Sequence, residues 1–151
     1  MKDDRLRSPV KLDYIEALGR AIYTFASLEW QVVWCAEKIQ PSSIRKIVDK
    51  EMTAGTIANF FINAVRNMPK IPEREELELL ATRFMELVKV RNNIIHGKPC
   101  TGPNGESRLS GKKVIEIPDL EQAADDFVEC GIKLNSLYYD FLKTYEPIKG
   151  K

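Results

Sequence analysis

The stretch VRNNIIHG, residues 90–97, holds the only histidine of the chain, His96, with Arg91 five positions before it. An imidazole, with a pKa of ~6.5, can give or take a proton near neutral pH. A guanidinium fork can grip two oxygens of a phosphate. Together they suit acid–base chemistry at a phosphate, and the metal-free cleavage of RNA that the family resemblance described below implies would use them so. A base takes the 2′-hydroxyl proton, an acid protonates the leaving 5′-oxygen, and a cation stabilises the charge gathering on phosphorus. On an ideal helix Arg91 and His96 stand ~140° apart, so they do not share a face. Asn92 and His96, four apart, do share one, so Asn92 is placed to hold the imidazole. Acid and base are two roles and the chain has one histidine. Two copies of His96 facing each other would fill both, which predicts that catalysis needs a dimer. The plainer reading of His96 is a helix-terminal imidazole near the last carbonyls.

Two charges interrupt otherwise apolar helical stripes, and they bear on the same place. Ile15, Leu18, Ile22, Phe25, Val32, Ala36 and Ile39 recur at steps of three and four, and Glu29 breaks the series. Leu77, Leu80, Phe84, Leu87 and Ile94 form a second stripe, broken by Arg91. A lone buried charge is costly, so the expectation is that the two helices pack and the charges meet. Glu29 then either aims Arg91 at an anionic ligand or serves as half of an ion pair that fixes helix register.

Glycine and proline divide the chain into the elements that must position these residues. Helices are predicted over residues 11–40, 42–50, 53–67, 73–96 and 119–145. Glu73, Glu75, Glu76 and Glu78 open the fourth helix, where carboxylates favour the positive end of the dipole. Gly97 reads as the left-handed residue just past its end. The breaker-rich segment that follows contains GKKVIEIP, the best strand candidate, which pairs with ESRL as a small β-hairpin. The buried stripe of the last helix is read as Leu120, Ala124, Phe127, Leu134, Tyr138, Phe141 and Tyr145. The result is an all-α chain: one domain over residues 1–151, an antiparallel four- to five-helix bundle with the hairpin after the third long-helix region. Tyr14, Tyr23, Trp30 and Trp34 offer aromatic surface on the first helix for a two-fold partner.

Composition narrows the function classes. Charged residues make up 30% and hydrophobic residues 44%, as in an ordinary globular protein, and the formal net charge of +1 provides no global attraction for nucleic acid. Recognition must come from local clustering. Lys98, Arg108, Lys112 and Lys113 lie near His96 in sequence with Glu106 as the one opposing charge, an expected RNA-backbone patch or an ordinary solvated loop. The opening MKDDRLRSPV does not read as a signal peptide, and no apolar run approaches the ~20 residues of a membrane span. Cys35, Cys100 and Cys130 are widely spaced, which argues against a zinc site or a disulfide framework and for thiols in a reducing cytoplasm. No cofactor or metal is expected.

The RNNIIHG run resembles the R-x4-H signature of the HEPN domains, helical-bundle proteins of higher eukaryotes and prokaryotes. A long first helix with ASLEW at its middle, and the signature at the end of a later helix, fit that family's plan. The resemblance implies a homodimer with the two signatures facing each other across a cleft. It also implies a metal-independent endoribonuclease, of the kind often found as toxins or antiviral defence effectors. Arg91 and His96 would be catalytic, with Asn92 as the polar residue after the arginine and Glu29 as a weaker transfer. A neutralising antitoxin or regulatory protein would be a further partner. Other members have lost catalysis and bind RNA, nucleotide or a partner protein. One branch carries a tyrosine two positions beyond the histidine, where this chain has Lys98.

Overall fold

The structure, a computed structural model, describes residues 8–147; the opening segment 1–7 lies outside the described residues. The chain is mostly helical, with five α-helices and a small three-stranded antiparallel sheet among the described residues. In order they are α1 (Leu12–Ile39), α2 (Ser43–Asp49), α3 (Ala54–Arg66), α4 (Pro72–Ile95), β1 (Lys98–Thr101), β2 (Ser107–Ser110), β3 (Val114–Ile115) and α5 (Ile117–Asp140), closed by a 3-10 turn, Leu142–Thr144. None of these helices is long and apolar enough to cross a membrane.

Local chemistry sets the boundaries. Thr53 caps α3, its hydroxyl accepting from the Thr56 N–H at 3.3 Å. Pro72 sits in the first turn of α4, where its missing N–H has no intrahelical partner to lose, and Glu73 and Glu75 follow it. A reciprocal capping box between Glu116 and Asp119 starts α5. That box explains why GKKVIEIP is strand only at Val114–Ile115: Glu116 is already a cap and Ile117 already helix. The last helix also stops sooner than its apolar stripe predicts. Phe141 leaves helical geometry (φ −136°, ψ −61°), and the following turn buries Leu142 completely.

One core joins the elements. α1 packs mainly on α5, α3 on α4, and α4 on α5. Phe25 of α1 lies at its centre, stacked on Phe84 of α4 (5.9 Å) and edge-on to Phe127 of α5 (5.2 Å). Over its first three turns the buried side of α1 is rotated by one position from the predicted stripe, whereas Phe25, Val32, Ala36 and Ile39 are buried as expected. Tyr14, Ala17, Ala21, Phe25, Leu28 and Val32 face inward, while Leu18 and Ile22 are half-buried and Ile15 is exposed. Small residues at positions 17 and 21 let the α1 backbone approach its neighbours, so burial follows them rather than the larger isoleucines.

The rotation moves Tyr14 from expected surface to core, at 2% exposure. Its hydroxyl donates to the Ile115 carbonyl (2.8 Å) and accepts from the Leu109 N–H (3.0 Å), tying α1 to β2 and β3. Tyr14→Phe should therefore leave one buried and one half-buried backbone group without this partner and cost about 1–3 kcal/mol. Chemical denaturation measures the loss, and faster amide exchange at Leu109 would locate it in the sheet.

Candidate functional site

α4 ends where the sheet begins, and the RNNIIHG run spans that junction. His96 is the helix cap (φ −97°, ψ 9°), its N–H donating to the Asn92 carbonyl at 3.0 Å. Gly97 is not left-handed; Gly105 is the one glycine with positive φ among the described residues. Glycine is needed at 97 for a different reason. A Cβ there would stand 3.0 Å from both the Ile94 carbonyl oxygen and the Leu109 Cβ, so its absence lets β2 lie against the helix end. β1, which sequence reasoning missed, starts directly after it, and Lys98 pairs with Ser110.

Arg91 is half-buried and held from two sides. Its Cζ lies 5.0 Å from the Phe25 ring centroid, and its Nη1 donates to Asn92 Oδ1 at 2.8 Å. Cation–π contacts of this kind contribute about 0.5–2 kcal/mol and restrict the plane of the guanidinium. Asn92 thus holds the arginine rather than the imidazole. His96 is exposed, and no side-chain hydrogen bond fixes its ring among the described residues.

Glu29 and Arg91 do not form the expected ion pair: no direct bridge joins them. They still feel each other. Burial pushes the Glu29 carboxyl above its ordinary range, and the Arg91 charge opposes that shift without overcoming it. A raised carboxyl pKa means that folding favours the protonated form. The stability it contributes is full below the unfolded pKa and is lost as pH rises through the folded one. Glu29→Gln should therefore be no less stable than the parent at neutral pH and should flatten the fall in stability between the two pKa values. Thermal melts across pH 4–8 test this; strong destabilisation at pH 7 would restore the ion-pair reading.

The expected basic patch is narrower than its sequence. Lys98, Lys112 and Lys113 are exposed, with Lys113 Nζ 3.8 Å from Asp119. Arg108 is turned inward, its side chain only 10% exposed. It donates through Nε to Glu116 (3.1 Å) and through Nη1 to the Ser107 carbonyl (3.0 Å), and lies 4.7 Å from the Tyr14 ring centroid. The patch expected of four cations is therefore three lysines around the junction of β1 with the β2–β3 turn.

Asn93, which sequence reasoning passed over, fixes that turn. Its Oδ1 accepts from the Lys112 N–H at 3.0 Å, and a Cβ on Gly111 would collide with its carboxamide. The first three residues of the run thus divide the work: Arg91 faces Phe25, Asn92 holds Arg91, and Asn93 holds the lysine-bearing turn. A polar residue three positions before a helix terminus, with glycine in the facing loop, was the available signal for Asn93. No protein-family model matches the chain, and the comparisons with curated proteins and with solved structures found no significant match.

Proposed function

We propose that the chain is a metal-independent endoribonuclease of the HEPN type, acting as a two-fold dimer on single-stranded RNA. The observation that carries this reading is the Arg91 guanidinium, laid on Phe25 and pinned by Asn92, one helical turn and a half before an exposed His96. A phosphate-gripping fork is thereby held in one plane, five residues before a proton carrier that no side chain engages among the described residues.

In the dimer, one His96 removes the 2′-hydroxyl proton and the other protonates the departing 5′-oxygen. The Arg91 forks bind the non-bridging oxygens as charge builds on them. The open side of α1 supports the pairing. Ile15, Ile22 and Glu29 lie seven residues apart on one line of the helix; Ile15 is exposed and the other two half-buried, and Ile95, next to His96, is 48% exposed. A second copy covering this edge brings the two α4 ends together. Lys98, Lys112 and Lys113 then follow the strand on either side. The proposal extends to a cytoplasmic toxin, defence or stress effector, with an antitoxin or regulatory protein as partner.

A binding module without turnover is the second reading. The observation that favours it is the imidazole of His96, which nothing among the described residues orients. Incubation of the purified chain with single-stranded RNA in a chelator separates the two. Cleavage leaving 2′,3′-cyclic phosphate ends supports the enzyme. Binding without products, across RNAs of varied sequence, supports the module.

A further inference from the structure

A groove between α1 and α5 lies apart from the α4 terminus and does not depend on the cleavage reading. Its volume is about 240 Å³. Cys35 and Leu134 form its buried floor, and Trp34, Tyr138 and Tyr139 its aromatic walls. Trp34 and Tyr139 stay 52% and 60% exposed, although they flank a concave site where burial was available.

Two carboxamides, Gln31 and Asn135, also face this space, and neither has a hydrogen-bond partner among the described residues. Gln31 is placed there by a specific allowance in α5. A Cβ at position 131 would collide with its Oε1, so Gly131 keeps the amide lying across the helix contact. Lys143 does not line the groove, but its Nζ lies 5.5 Å from the Tyr139 ring centroid, which puts a cation beside the aromatic wall.

Flat aromatic faces, free carboxamides and a flanking lysine match the three parts of a nucleotide. Rings stack on a base whatever its identity. A carboxamide, donor and acceptor together, pairs with a base edge. An ammonium attracts a phosphate. A purely apolar occupant would leave the amides desolvated without partners, which is unfavourable. We infer that the α1–α5 groove binds a single nucleobase with its phosphate, stacked against Trp34 and Tyr139 and read by Gln31 and Asn135. The base comes either from a free nucleotide or from a strand of RNA.

Isothermal titration of the full chain with AMP, GMP, CMP and UMP tests this, with ribose 5-phosphate as control. A 2′-O-methyl tetranucleotide, which cannot be cleaved, forms the strand arm. Trp34 fluorescence in a Trp30→Phe background provides a local report. The expected result is saturable binding of at least one base, quenching of Trp34, and no response to ribose 5-phosphate. Trp34→Ala should weaken binding at least tenfold, and Gly131→Ala, which displaces Gln31, should weaken it with the helical circular dichroism retained. Saturation by mononucleotides identifies the free ligand, and saturation by the tetranucleotide alone identifies the strand. The inference is overturned if neither class binds, or if Trp34→Ala binds as tightly as the parent. It is equally overturned if the Trp34 signal follows protein concentration rather than ligand, which would make the groove a contact between copies. RNA cleavage is not among these readouts, so the groove and the nuclease reading can fail separately.

Discussion

Replacing His96 with alanine is expected to lower cleavage of single-stranded RNA by at least about 10²–10⁴-fold, the usual contribution of one proton-transfer role. The loss should be at the upper end, because a dimer of the variant lacks base and acid together. The fold should not notice. The side chain is exposed and makes no hydrogen bond among the described residues, while the helix cap is made by the backbone N–H of residue 96, which alanine keeps. Exposed substitutions of this kind usually stay within about 0.5 kcal/mol. Steady-state cleavage beside a thermal melt reads both. An unchanged rate in the variant removes His96 from the chemistry.

Arg91→Ala is the second large effect, with an expected fall in kcat/KM of about 10²–10³-fold, typical of removing one donor aimed at developing charge. Arg91→Lys should recover little. The ammonium is a point charge and cannot reproduce the flat fork that Phe25 and Asn92 hold. That comparison separates charge from geometry: near-complete rescue by lysine would mean that the placement over Phe25 has no catalytic consequence. Some stability should go as well, because truncation uncovers the Phe25 ring and frees the Asn92 carboxamide. The kcat/KM ratio is therefore best measured well below the melting midpoint of each variant.

Much of the helical architecture was legible because apolar spacing and breakers act locally. Pro41 follows the end of α1, Pro69 lies between α3 and α4, and Pro72 opens α4, one residue earlier than the predicted start at 73. What was not legible depended on packing. The inward side of the first turns of α1 depended on Ala17 and Ala21, whose small size admits neighbours, so counting large apolar residues put the stripe one position off there and left Tyr14 outside, while Phe25, Val32, Ala36 and Ile39 were placed correctly. β1 was hidden by Pro99 inside it and Gly102 directly after it, although an edge strand tolerates such a proline. At the candidate site, residue types and their nearness in sequence were readable, but partners were not. Asn92 shares a helical face with His96, yet its carboxamide turns to the neighbouring guanidinium, the stronger donor. Arg108 looked like a surface cation until Glu116 and Tyr14 enclosed it, a contact created by the register of the sheet.

The buried thiols add a constraint on how the protein can be handled. Burial raises Cys35 to about 12 and Cys130 to about 11, so neither carries much thiolate at neutral pH. Labelling for distance measurements should therefore go to new exposed sites rather than to these.

The dimer is the claim on which the chemistry stands, since each chain brings a single imidazole. Following cleavage rate per chain while the protein is diluted through its dissociation range, with mass measured at each concentration, tests it most directly. The account predicts that the rate per chain falls in proportion to the fraction of dimer. A rate per chain that stays constant into the monomer would contradict it.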